Sequence, residues 1–147
     1  MKALVVHDSV YGNTEKVAQA IAAALGGEAR AVRPAEATAA ALTGLELLVV
    51  GGPTYGGRPR PELKAFLDGM PAGALTGVKV VAFDTRMGVW FAKIFGYAAP
   101  KIANALQAKG GKLAAAPEPF IVMGKEGPLK EGELKRAAAW AKGLAGA

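Results

Sequence analysis

The chain contains no cysteine and a single histidine, His7. Disulfides, thiolate metal centres and thiol redox chemistry are excluded, and a histidine-rich metal site cannot be built. No apolar run approaches the roughly 18 residues of a membrane span. The first residues lack a basic stretch followed by an apolar one, so no secretory leader is expected and the expected compartment is the cytoplasm. Acidic residues are outnumbered by basic ones, 12 against 18, for a formal charge of +6. Acids are missing altogether from Thr85 to Pro117, where Arg86, Lys93, Lys101, Lys109 and Lys112 occur. A basic surface attracts nucleic acid, anionic lipid or an acidic protein. No nucleic-acid motif accompanies it, and most of these cations read as solubilising charge. Hydrophobic residues make up 52% of the 147, which speaks against disorder. The length predicts a single domain, 1–147, able to bury about 70% of its unfolded surface.

What is present alternates between two periods. Apolar runs at 2–7, 28–33, 46–51, 79–84 and 120–123 read as strands. Helix-period segments fall between them, at about 13–25, 35–42, 60–70, from Pro100 to Gly110-Gly111, and 130–145. Gly26-Gly27 stops the first helix and Pro61 opens the third. In the last helix Leu134, Ala137, Ala138, Ala141 and Leu144 are expected to face inward. Trp140 reads as a packing residue, and His7 as a structural residue ending the first strand. Alternating strands and helices imply a parallel sheet covered on both faces.

The segment Ser9-Val10-Tyr11-Gly12-Asn13-Thr14 joins the first strand to the first helix. It offers two hydroxyls, an amide and the unpaired N–H groups of a helix N-terminus, where the helix dipole also favours an anion. That combination binds a phosphate without a cation. There is no Lys in the loop, so it is not the nucleoside-triphosphate loop, which requires Gly-Lys-Ser/Thr. The plainer alternative is a helix capped by Asn13.

Val50-Gly51-Gly52-Pro53-Thr54-Tyr55-Gly56-Gly57 ends the third strand, and Phe83-Asp84-Thr85-Arg86 ends the fourth. With the loop at 9–14, these segments resemble those of a flavodoxin, in order and spacing over essentially the whole chain. The resemblance is to a short-chain flavodoxin or a flavodoxin-domain oxidoreductase. It implies an α/β, three-layer, doubly wound, five-stranded parallel sheet of order 2-1-3-4-5, and FMN as cofactor. In that order the winding reverses between strands 1 and 3, so the loops 9–14 and 53–60 flank one crevice.

Carried onto this chain, the resemblance assigns cofactor binding to Ser9, Val10, Tyr11, Gly12, Asn13 and Thr14 at the phosphate. It assigns Pro53, Thr54, Tyr55, Gly56 and Gly57 to the ring, together with Asp84, Thr85, Arg86 and Trp90. Tyr55 is the candidate wall against the ring, and the Tyr11 ring can lie in or out of the site. Gly56-Gly57 is where the loop would rearrange as the ring is reduced. Asp8 is expected to point away from the phosphate. Trp90 or Tyr97 can cover the second face of the ring, the alternative being that Trp90, Phe91, Phe95 and Tyr97 form a satellite core. Asp84 to Pro100 reads as a long loop, and long loops are commonly functional. Arg58, Arg60 and Arg86 flank the cleft, where their charge would ease the final reduction of the ring, unless they are merely solvated.

The expected function is an FMN-binding electron carrier, a monomer serving reductase and acceptor proteins, the partner being acidic if the basic rim docks it. The alternatives are an FMN-dependent quinone or porphyrinogen oxidoreductase, and a domain with an altered flavin site. Fold alone does not separate carrier from enzyme.

Overall fold

The computed structural model describes residues 2–55, 57–88 and 96–145. The elements follow in order: β1 (Ala3–His7), α1 (Asn13–Leu25), β2 (Arg30–Val32), a 3-10 turn (Pro34–Glu36), α2 (Ala39–Leu42), β3 (Leu47–Pro53), α3 (Pro61–Gly69), β4 (Lys79–Met87), α4 (Ala98–Ala108), β5 (Lys112–Leu113), β6 (Glu118–Val122) and α5 (Glu133–Ala145). All named strand pairs are parallel. The order is β2-β1-β3-β4-β5, and β6 also pairs with β4. β3 covers one edge of β4 from Lys79 to Thr85. On the other edge, β5 meets Lys79 and Val80, and β6 meets Phe83 to Met87. The fifth position of the sheet is thus one line of strand interrupted at 114–117, and six strands fill the five expected places.

The central strands β1, β3 and β4 are buried on both faces, as a parallel sheet requires. Leu4, Val6, Leu48, Val50, Val80 and Ala82 pack toward Leu63, Leu67, Ile102 and Leu106 of α3 and α4. Their alternates Ala3, Val5, Leu47, Val49, Val81 and Phe83 pack toward Val17, Ile21, Ala137, Ala141 and Leu144 of α1 and α5. Phe83, Phe120 and Trp140 meet edge to face, with centroids 5.8–6.5 Å apart. Phe83 lies so close to β3 that a Cβ at Gly51 would come within 2.2 Å of its ring. Trp140 is a packing residue.

Four expectations change. The second helix is split: Thr38 accepts a bond from the Ala41 N–H and starts a separate turn. β4 runs on through Thr85, Arg86 and Met87, because β6 pairs with them. The loop expected over 84–100 is correspondingly shorter, since α4 begins at Ala98. α5 begins at Glu133, which takes the inward position of its first turn, and Leu134 is exposed.

Candidate functional site

The winding of the sheet opens a crevice at the C-terminal ends of β1 and β3. β1 leads into α1 on one face, and β3 leads into α3 on the other. A cleft of about 270 Å³ lies there. Its walls come from the loop after β1, the ends of β3 and β4, the start of α4, and the turn after β6.

At the first wall, Gly12 is the N-cap of α1, with φ +89°, and no side chain caps the helix. Asn13 is therefore not the cap; it is the first helical residue. A left-handed cap suits Gly, and it leaves the first-turn N–H groups available to an anion. Ser9 Oγ accepts from the Gly12 N–H at 2.9 Å. The Thr14 and Thr85 hydroxyls lie 2.8 Å apart, which ties α1 to β4. Asn13 Nδ2 donates to the Glu126 carbonyl at 3.1 Å. Gly127 makes that approach possible: its φ is +106°, and a Cβ there would lie 2.7 Å from the Asn13 amide. The Gly127-Pro128 peptide bond is cis.

At the second wall, Tyr55 and Arg58 close a tight turn by exchanging backbone bonds of 2.8 and 3.2 Å. Gly57 sits in the turn with φ +80°, and its carbonyl accepts from Lys101 Nζ. Tyr55 is 61% exposed and lines the cleft. Thr54 is anchored twice: its N–H donates to the Thr85 carbonyl at 2.9 Å, and its hydroxyl accepts from the Ala98 N–H at 3.1 Å.

At the third wall, the Arg86 guanidinium lies over the Tyr97 ring, 3.4 Å from its centroid. Asp84 holds it there through two bonds of 2.7 and 2.6 Å and also accepts from the Ala99 N–H at 2.8 Å. Arg86 and Tyr97 both line the cleft.

Most of the expected site residues are therefore brought together. Ser9, Val10, Tyr11, Asn13, Thr14, Pro53, Thr54, Tyr55, Gly57, Thr85 and Arg86 all line the cleft. Asp84 does not. It is fully buried, and its carboxylate is committed to Arg86 and α4, so it positions a wall instead of meeting a ligand. Gly56 and Trp90 lie outside the described residues, as do Phe91 and Phe95. Asp8 points away from the loop, to Arg60 at 2.7 Å. Burial pushes its carboxyl up from the ordinary value, with Arg60 opposing, and its Oδ2 has no hydrogen-bond partner. Burial likewise lowers His7, whose Nδ1 is also unpartnered. Of the three rim arginines, Arg60 and Arg86 are thus paired with buried carboxylates, and neither is a bare charge.

Met87, Gly96, Val122 and Lys125 also line the cleft and were not foreseen. Met87 and Val122 are register partners at the ends of β4 and β6. A usable signal existed for the last two: every loop leaving the C-terminal end of a parallel strand falls on the crevice side of the sheet. Val122 and Lys125 close and follow the last strand. Among the described residues, no cluster of acids or His suits a metal ion, and no helix is long and apolar enough to cross a membrane.

The donor set fits a phosphorylated aromatic ligand. An uncapped helix N-terminus flanked by hydroxyls opens into the same cleft as two tyrosines. A doubly wound sheet takes its ligand in the crevice at this switch point. The sequence profile of the flavodoxin domain matches residues 4–89, and the chain belongs to the flavodoxin family. Members of this family bind FMN. The fold is similar to that of oxidised flavodoxin 2 from Bacillus cereus, at TM-score 0.83 and 22% identity, over 99% of each chain. It is also similar to a flavodoxin from the domain Archaea, at TM-score 0.80 and 21% identity, over 99% of this chain and 97% of that one. A WrbA-like flavodoxin from Agrobacterium tumefaciens aligns at TM-score 0.78 and 22% identity, over 98% and 94%. At such identities the likeness speaks for the fold. No curated protein matches the chain in sequence.

Proposed function

We propose that the chain is an electron carrier that holds FMN in this cleft and exchanges electrons with protein partners. One observation carries the reading. The uncapped start of α1, with Ser9 and Thr14 beside it, shares a cleft with Tyr55 and Tyr97. When bound, FMN supplies one- and two-electron chemistry that no side chain here can perform.

The residues do the binding and orienting. The N–H groups following Gly12, with Ser9, Asn13 and Thr14, hold the phosphate by charge-assisted hydrogen bonds. Tyr55 offers an aromatic face to the ring, and Tyr97, backed by Arg86, walls the cleft elsewhere and excludes water. Thr54, fixed by Thr85 and Ala98, sets the height of the 55–58 turn. Gly57, at φ +80°, is the position of that turn that can change backbone conformation with the redox state of the ring.

Calorimetric titration of the apoprotein with FMN and with riboflavin tests the reading. FMN should bind much more tightly, because riboflavin cannot use the start of α1. Thr14→Val should weaken FMN by about 1.5–3 kcal/mol, the range for a hydrogen bond to a charged group, and leave riboflavin nearly unchanged. Equal affinities for the two ligands would refute the phosphate assignment.

A further inference from the structure

Large apolar side chains exposed to solvent are unevenly placed on this molecule. Among the described residues they are Val10, Tyr11, Tyr55, Met87, Met123 and Leu134, between 37% and 66% exposed. Val10, Tyr11, Tyr55 and Met87 all line the cleft. Met123 lies between Val122 and Lys125, which also line it. Only Leu134, on the outside of α5, stands apart. Single exposed apolar residues need no explanation, whereas a contiguous ring of them marks a surface that another molecule covers. Tyr55 also forms one side of a second depression, between the 55–58 turn and α3, lined by Arg58, Pro59, Pro61 and Lys64. The apolar collar is therefore continuous with an open groove and is wider than the cleft.

The charge around this collar is of one predominant sign. Arg58, Lys101 and Lys125 are exposed beside it. Arg60 and Arg86 are cancelled by Asp8 and Asp84, and Lys64 by Asp68. The exposed acid of the 124–127 turn is Glu126, whose backbone carbonyl already holds Asn13. Three exposed cations against Glu126 and Glu62, the exposed acid in the first turn of α3, leave the rim positive. No acid occurs from Thr85 to Pro117 to offset it.

We infer that the collar is the docking face for the redox partner, and that this partner is a protein with an acidic rim around an apolar centre. The inference rests on the electron-carrier reading and names the chemistry of the partner. Arg58, Lys101 and Lys125 steer the encounter and fix its orientation. The collar residues give up water on contact and bring the partner's redox centre over the cleft mouth. Complementary charge acts mainly on the rate of encounter, so the face is recognised by kinetics and not only by affinity.

The test uses the FMN-loaded protein, photoreduced, and two haem proteins of opposite charge as acceptors: acidic cytochrome b5 and basic cytochrome c. Each ferric haem takes one electron from the reduced protein, and stopped-flow absorbance gives the second-order rate. With cytochrome b5 the rate should fall as salt rises; with cytochrome c it should rise. Arg58→Glu/Lys125→Glu should slow the cytochrome b5 reaction about tenfold at low salt, within the range for electrostatic steering. Lys112→Glu/Lys142→Glu makes the same change in net charge at the opposite end of the sheet and should slow it far less. Met123→Ser, on the collar but off the cleft lining, should keep FMN affinity and slow the reaction at high salt as well. Equal slowing by both charge-reversed pairs would overturn the docking face, since net charge alone would then explain the rate. A faster reaction with cytochrome c at low salt would overturn the acidic partner. A second copy covering the face would appear in sedimentation as a dimer lost in the Met123→Ser variant, and would overturn the heterologous partner. The carrier reading fails separately, if FMN does not bind.

Discussion

Glu133 can be replaced by Gln to test what holds the last strand in place. Its carboxylate is nearly buried and accepts three bonds: from the Ile121 N–H at 2.7 Å, from Arg136 Nε at 2.8 Å and from Arg136 Nη2 at 2.9 Å. Arg136 also bonds Glu118 and the Pro119 carbonyl, and lies over the Phe120 ring. The pair therefore fastens the start of α5 to β6, the strand that carries Val122 to the cleft. The Arg136 hydrogen bonds hold the Glu133 carboxyl below its ordinary 4.5, with help from the Ile121 N–H and against desolvation. A depressed carboxyl contributes stability that is present above its unfolded pKa and is lost as pH falls through the folded one. Gln can keep the bond from Ile121 but turns an amide N–H₂ toward a guanidinium. Losing charge-assisted bonds costs about 1.5–3 kcal/mol each. Arg136 is 39% exposed and keeps Glu118, so solvent screening and the second acid bring the net loss to about 2 kcal/mol at pH 7. At this chain length that is a fall of about 4–8 °C in Tm. Urea unfolding of the apoprotein and its Glu133→Gln variant at pH 7 and at pH 3.5 reads the effect. The gap should be about 2 kcal/mol at pH 7 and should narrow at pH 3.5, below the ordinary 4.5 at which the unfolded carboxyl protonates. A gap that is the same at both pH values would show that packing, not the ion pair, accounts for the loss.

Asp8 should behave in the opposite sense. Its pKa is raised by burial, so its protonated form favours the fold, and the wild type should lose stability as pH rises above about 3.8. In urea titrations from pH 4 to pH 7, Asp8→Asn should therefore gain stability relative to wild type; a parallel course would refute the assignment. Gly127→Ala forces a Cβ into the Asn13 amide at a left-handed position. It should cost about 1–2 kcal/mol of stability and weaken FMN but not riboflavin, read by calorimetry; an unchanged FMN affinity would show that Asn13 is not part of the phosphate site.

The fold was legible where apolar residues keep a period. Ala3 to Val6 and Leu47 to Val50 are unbroken buried runs bounded by polar residues, and only a strand covered on both faces makes use of them. Val17 and Ile21 with the Gly26-Gly27 stop define α1, both glycines adopting positive φ. The cleft followed from the topology, because two loops with binding chemistry leave the strands where the winding reverses. The end of β4 was not legible. Asp84-Thr85-Arg86 reads as a loop, since nothing local reveals that each polar group has a distant partner. Thr85 pairs with Thr14, 71 residues away, and Asp84 with the backbone of α4. The two residues of β5 are too short for any period. Leu134 was misplaced because the polar Glu133, bonded to Ile121 and Arg136, takes the inward position of the first turn, and Leu134, the next residue, is turned about 100° away from it.

The placement of charge also separates two effects that the sequence merges. Arg58, Arg60 and Arg86 were expected to act together on the ring, as three cations near one redox centre. An unpaired charge about 10 Å from a reduced ring contributes roughly 1.7 kcal/mol at an effective dielectric near 20. A carboxylate about 3 Å farther away cuts that to roughly 0.4 kcal/mol, and more still if it lies nearer. Arg60 and Arg86 are so paired, and the Asp84 carboxylate is fully buried, beyond the reach of salt. Their role is mechanical: one ties the loop after β1 to the start of α3, and the other props Tyr97 against the cleft. The charge that is left over belongs to side chains at the surface, where salt screens it. The basic character of this chain should therefore be felt weakly in the potential of the bound flavin and strongly in the rate at which a partner arrives.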